Sequence, residues 1–164
     1  ERRKFIDGVI AQYNNEYLHK LINYNKALQQ RNALLKIFSE QKRFDPASLD
    51  LWDEHLIFNG NYIYNERKAF FDDFMPVFKD YYAFLSQEKE QTDIVYDSTL
   101  NQGDYEKQLI DARNKDRVLQ YTSVGVHKDD LVFRIHNETV KKFGSQGQQK
   151  SFIIALKLAQ FSSI

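Results

Sequence analysis

Between residues 13 and 40, apolar side chains recur at steps of four and three: Tyr17, Leu21, Tyr24, Leu28, Leu35 and Phe38, with Arg31 on the same seam. That spacing predicts an amphipathic helix with a heptad-like stripe, interrupted once by Arg31. No Gly or Pro lies inside it, so it would extend roughly 40 Å. The segment RFDP at 43–46 ends it and supplies Asp45 as N-cap and Pro46 as first residue of the next helix. From 47 to 86, Leu49, Trp52, Leu56, Ile63, Phe70, Phe74, Phe78, Tyr81 and Leu85 share one face, with a gap at Asn59-Gly60 and a kink expected at Pro76. Two long seams joined by a short turn predict an antiparallel helical hairpin. Its stripes read as core packing, not as a cofactor box.

After Glu90 the pattern changes. DIVYDSTL, rich in β-branched and aromatic residues, predicts a strand. Asp104 to Lys115 predicts a short charged helix capped by Asp104. YTSVGVH and LVFRIH read as two strands around KDD, HNET as a turn, and TVKKF as a third short strand. A last helix begins near Ser145. The expected fold is therefore α+β and mostly helical, with residues 1–90 forming a helical arm and 91–164 a mixed layer of strands and helices.

Composition narrows the class. The 164 residues include 23 Lys and Arg against 23 Asp and Glu, so any contact with nucleic acid requires a local basic face. Cysteine is absent, which removes disulfides and thiolate metal sites. Thirteen Phe and ten Tyr are ample for a core, and six Gly with two Pro fit a helix-rich chain. ERRKFIDGV is not followed by an apolar run of signal-peptide length, and Lys157 interrupts the most apolar segment. A soluble, intracellular protein is expected. The missing initiator Met and the abrupt FSSI end make the sequence read as a fragment of something longer.

The stretch with most chemistry is GSQGQQKSFIIALKLAQ at 144–160. Ser145 followed three residues later by Gln148 fits a capping box. That pairing accounts for both residues but not for Gly147, which costs about 1 kcal/mol in a helix relative to Ala. A bare helix start with a hydroxyl and outward N–H groups suits an anion, phosphate above all. In GVHKDDL, residues 125–131, His127, Asp129 and Asp130 suit either a metal or acid–base cluster or a polar turn between strands. No second cluster supplies further ligands, and no metal is expected. His19, His55 and His136 stand singly. Arg2, Arg3, Lys4, Lys141, Lys142 and Lys150 are candidate DNA phosphate contacts, against the commoner reading of solvated surface charge. No GxxxxGK[ST] phosphate loop and no catalytic constellation is present.

VGVHKDDLVF followed by FGSQGQQKSFIIALKLAQ resembles the RecF family of bacterial DNA replication and repair proteins, SMC-like ATPases of the ABC type. RRKFID, YNKALQQRNALLK and LDLWDEHLIFNG carry the resemblance along the rest of the chain. It implies an ATPase head into which a helical arm is inserted, residues 91–164 belonging to that head. It further implies that two heads close on ATP and Mg to form a clamp on DNA. In such proteins the Walker A loop lies toward the N-terminus, and Walker B and the D-loop follow the helix that closes this sequence. The glycine-rich segment would be the signature motif, which contacts the γ-phosphate of ATP held by an opposing subunit. Ser145 would donate its hydroxyl and Gly147 would admit the phosphate. Gln146, Gln148 and Gln149 would complete the motif. This chain alone would bind no nucleotide and hydrolyse none, whereas the parent would be a slow ATPase.

The resemblance also implies gapped DNA with double-stranded/single-stranded junctions, the partner proteins RecR and RecO, and indirectly RecA. It implies a role in gap repair and the SOS response, and a cytoplasmic, nucleoid-associated location. The family pattern reads GPHRDD where this chain has Val126 and Lys128, and Lys128 lacks the planar fork of Arg. The alternative from another class is a helical-hairpin interaction module in which the glycine-rich turn is only a helix cap.

Overall fold

The computed structural model describes residues 2–87, 90–136, 138–140 and 144–162, except for the side chain of Arg2. Three helices come first: α1 (Arg2–Tyr13), α2 (Asn15–Gln41) and α3 (Pro46–Ser86). They are followed by β1 (Thr92–Asp97), a 3-10 turn (Thr99–Gln102), α4 (Tyr105–Leu119) and a second 3-10 turn (Val126–Lys128). The chain then forms β2 (Asp130–Ile135), β3 (Glu138–Thr139) and α5 (Gln146–Ser162). Helices dominate and the strands form one antiparallel three-stranded sheet ordered β1-β2-β3, the mostly helical α+β class expected. None of the described helices is long and apolar enough to cross a membrane.

The chain divides into two compact units. A hairpin unit comprises Asn14–Glu66 and Ser98–Asp129, and a sheet unit comprises Glu1–Tyr13, Arg67–Asp97 and Asp130–Ile164. Helix α3 contributes its first half to one and its second half to the other.

In the hairpin unit, Asn14 separates α1 from α2. Its side-chain oxygen accepts the Tyr17 N–H at 2.9 Å, and its amide donates to Glu66 at 2.8 Å. Asp45 caps α3, accepting the Ala47 N–H at 3.2 Å and the Ser48 hydroxyl, so RFDP acts as the sequence indicates. Helices α2 and α3 run antiparallel: the Lys20 ammonium lies 3.9 Å over the Phe58 ring, Arg31 bonds Asp53, and Phe38 meets Phe44 edge-on at 5.5 Å. The interruption of the α2 stripe is its buried centre. Arg31 is 0% exposed, and its Nε donates to Asp53 at 2.5 Å. Its Nη1 donates to Asp116 at 2.7 Å and to Thr122 at 2.9 Å. The gap at Asn59-Gly60 does not break the helix. Gly60 is where two tyrosine rings cross α3, for an added Cβ would lie 2.7 Å from Tyr105 and 3.1 Å from Tyr24.

In the sheet unit, Ile6, Val9 and Ile10 bury one face of α1, and Asp7 accepts two N–H bonds from the buried Arg67 at 2.8 and 3.1 Å. The second half of α3 buries Phe70, Phe71, Phe74, Phe78 and Tyr82. The buried residue of its last turn is thus Tyr82, where the stripe counted from sequence names Tyr81 and Leu85. Four-residue steps along a 3.6-residue helix shift the seam gradually round its surface. Pro76 stands inside α3 without ending it. Ring contacts continue from Phe78 to Phe152 at 4.8 Å and from Phe152 to Phe133 at 4.8 Å, joining α3, α5 and β2.

Two strand expectations fail. YTSVGVH is a loop ending in a 3-10 turn, because Gly125 adopts φ 122° and the N–H groups of Thr122, Ser123 and Gly125 bond to side chains instead of a ladder. In TVKKF only Thr139 belongs to a strand and Val140 is already helical, while the next three residues lie outside the described set.

Candidate functional site

The start of α5 is built from its own first turn. Ser145 is the N-cap: its N–H donates to Gln148 Oε1 at 2.8 Å, and the Gln148 N–H donates to Ser145 Oγ at 3.2 Å. This is the reciprocal capping box that S-x-x-Q indicates. The Gln149 N–H bonds the Ser145 carbonyl at 2.9 Å and its side-chain amide bonds the Gly144 carbonyl at 2.9 Å. Ser145, Gln146, Gly147, Gln149 and Lys150 are exposed and Gln148 is half-buried. Packing does not require Gly147: an added Cβ would meet only Ser145 Oγ, at 3.9 Å. A helix start carries partial positive charge and amides without intrahelical partners. Here one hydroxyl and an unobstructed backbone accompany them.

The rest of α5 fixes that turn in place. Phe152, Ala155 and Ala159 are buried, with Phe152 lodged among Phe78, Tyr82 and Phe133. The opposite face leaves Ile153, Ile154, Leu158 and Phe161 exposed. A further anchor comes from Glu90. Its carboxylate accepts Gln148 Nε2 at 2.7 Å and the Tyr82 hydroxyl at 2.5 Å. The Tyr82 bond, and after it the Gln148 bond, hold the Glu90 carboxyl below the usual carboxylate range. Burial, reinforced by Glu90, pushes the Tyr82 phenol well up. No local pattern in the sequence marks Glu90, which lies between elements and pairs with a residue 58 positions away.

GVHKD builds a different structure at the end of the hairpin unit, and Asp130 begins the sheet-unit segment that follows. The Thr122 carbonyl can only accept, so His127 Nε2 donates to it at 2.9 Å. Nδ1 then accepts from the Tyr24 hydroxyl at 2.8 Å, and Tyr24 in turn pairs with Tyr105 at 3.0 Å. Burial, and then Tyr24, push the Tyr105 phenol well above its ordinary value. Asp129 is buried at the end of the 3-10 turn, its N–H bonded to Val126, while Asp130 opens β2 and accepts the Leu131 N–H. Lys128, which stands where the family pattern has Arg, holds its ammonium 4.7 Å over the Tyr121 ring. Among the described residues no three His, Asp or Glu side chains gather as metal ligands.

The described basic candidates lie on two elements, α1 and α5. Arg3 and Lys4 lie on α1, half-buried and exposed respectively, and Lys150 is exposed on the first turn of α5. Lys141, Lys142 and the side chain of Arg2 lie outside the described residues.

No protein-family model matches the chain. It is 49% identical over 160 residues to the DNA replication and repair protein RecF of Flavobacterium johnsoniae, covering 98% of this chain and 45% of that protein. With the protein of that name from Bacteroides thetaiotaomicron it shares 44% over 161 residues, 98% of this chain and 43% of the relative. The chain thus spans less than half the length of the curated relatives it matches. A solved structure of the recombination mediator protein RecF-ATP in the RecFOR pathway superposes with TM-score 0.89 and 26% identity, over 98% of this chain and 45% of that one. A second, RecF-ATPrS, superposes with TM-score 0.90 and 25% identity over the same shares.

Proposed function

Over 98% of its length the chain is homologous to a part of the RecF proteins, and from that premise we propose that it serves an ATP-dependent DNA replication and repair protein. In this reading Ser145, Gln146, Gly147, Gln148 and Gln149 form a signature motif that meets the γ-phosphate of ATP bound by an opposing subunit. The observation that carries it is the open start of α5: a capped turn with an exposed hydroxyl at Ser145 and no side chain at Gly147. Developing or fixed negative charge is stabilised there by preorganised N–H and O–H donors, without reorganisation. The likeness to RecF structures with ATP and ATPrS supports nucleotide as the anion.

Each subunit would complete the partner's phosphate cradle, so ATP would hold a homodimer closed on gapped DNA. Mg would accompany ATP in the parent, which would turn over slowly. Lys150, beside the motif, is the described basic residue best placed to add a phosphate contact. Arg2, Arg3, Lys4, Lys141 and Lys142 remain DNA candidates. RecO and RecR would act alongside it at single-strand gaps where RecA is loaded, within the SOS response, in the cytoplasm. The sheet unit, which contains α5, would belong to the ATPase head and the hairpin unit to the arm, a division that differs from an arm over 1–90 and a head over 91–164 by assigning 1–13 and 67–90 to the head and 98–129 to the arm.

Ser145→Arg in the full-length parent tests the assignment. It fills the cradle with a long side chain, on an exposed N-cap where folding loses about 1 kcal/mol. ATP-induced dimers should vanish in light scattering while the monomer keeps its circular dichroism. Normal ATP-dependent dimers in that variant would remove the signature role.

A further inference from the structure

We propose that Glu90 is a positioning residue for the start of α5, fixing Gln148 and through it the orientation of the Ser145–Gln149 turn. As a statement about nucleotide binding this rests on the reading above. As a statement about geometry it stands on the hydrogen bonds alone.

The bonds form one chain. The hydroxyl of the buried Tyr82, in the last turn of α3, donates to Glu90 at 2.5 Å. Gln148 Nε2 donates to the other carboxylate oxygen at 2.7 Å, and Gln148 Oε1 accepts the Ser145 N–H at 2.8 Å. Both ends of the Gln148 amide are therefore in use, and only one of its two flipped orientations satisfies both partners. A capping box alone accepts Glu or Gln at this position. A glutamate in place of Gln148 would set a second carboxylate against that of Glu90, so Glu90 accounts for the choice of Gln. The Glu90 charge is engaged by Tyr82 and Gln148, which leaves the exposed amides of the turn to an outside anion. Bonds to an ionised acceptor are about twice as strong as neutral ones. The link runs from the last turn of the long α3 helix, through Glu90 just ahead of β1, to the turn proposed to meet phosphate.

Glu90→Gln in the full-length parent removes the charge: the new amide can accept Gln148 Nε2 only through its neutral oxygen, with its NH2 turned to the Tyr82 hydroxyl, so the bond that holds Gln148 is no longer charge-assisted. The ATP concentration for half-maximal dimerisation should rise about tenfold, with a melting temperature within a few degrees of the parent. Amide exchange at Gln148 and Gln149 in the nucleotide-free protein should accelerate about tenfold. Combining Glu90→Gln with Gln148→Glu reverses donor and acceptor while keeping a competent capping residue, and exchange at both amides should return toward the parent rate. A residue important only for stability would lower the melting temperature and leave the ATP dependence and the reversal without effect. Unchanged exchange in Glu90→Gln, or no recovery in the double variant, would overturn the positioning role. If Ser145→Arg still dimerised normally, the nucleotide reading would fall, and the exchange data would judge Glu90 independently of it.

Discussion

Replacing Arg31 by Met should cost about 3–5 kcal/mol of folding stability. Arg31 is the largest fully buried side chain of the hairpin unit, and both carboxylates it serves are buried, Asp53 at 4% and Asp116 at 0% exposure. Asp53 would keep one bond, from Arg113 at 2.9 Å, and Asp116 would keep the Ser123 N–H at 2.9 Å. Neither replaces a guanidinium between two charges taken out of water, and Thr122 would lose a donor as well. The penalty arises from the stranded carboxylates more than from lost attraction. Arg31→Met with Asp116→Leu should therefore cost less than the sum of the two single changes. Urea unfolding would show this as a lowered midpoint at unchanged slope. A loss below about 1 kcal/mol for Arg31→Met would mean that water reaches the cluster.

Gly125→Ala should remove about 3 kcal/mol or more, through two separable effects. With φ 122° and ψ 174°, Gly125 occupies a region that L side chains rarely adopt. An added Cβ would also overlap the Tyr105 hydroxyl and lie 2.5 Å from that of Tyr24, the two groups that relay to His127. Tyr105→Phe in the same chain removes the closest clash and leaves the backbone strain. The double variant should then be more stable than the sum of the single losses implies, with part of the deficit remaining. Tyrosine near-ultraviolet circular dichroism would report the relay, and denaturant unfolding the energy. A near-neutral Gly125→Ala would contradict the geometry of the 125–128 turn.

Several elements were legible in the sequence because their signals are local. The long stripes fix α2 and α3, and Asp45-Pro46, Asp104 and Ser145 mark helix starts because capping involves residues within three positions. Arg31 shows the limit of that reasoning. A charged residue on an apolar seam signals either a break or a buried ion pair, and its partner Asp116 lies 85 positions away. The β-branched texture of YTSVGVH favours a strand, yet the tertiary bonds of Tyr24, Asn32 and Thr99 to this segment prevail. Gly60 looked like a gap in a stripe and is a crossing point for two rings, which only the packed structure reveals. Glu90 had no local signal, for its partners Tyr82 and Gln148 belong to different helices. GVHKDD could suggest metal or acid–base chemistry from residue types alone. The bonds of His127 instead form part of the framework around Gly125.

The central claim is that the start of α5 acts on ATP held by another subunit, and mixing two defective full-length parents tests it most directly. One carries Ser145→Arg; the other carries a replaced phosphate-loop lysine and an intact α5. Each alone should fail to dimerise with ATP. If the motif works across the interface, a mixed dimer contains one complete site, and ATP-dependent association should reappear on mixing. If the mixture stays monomeric with ATP while both variants remain folded, the motif does not act in trans, and the proposed role of Ser145 and Gly147 is wrong.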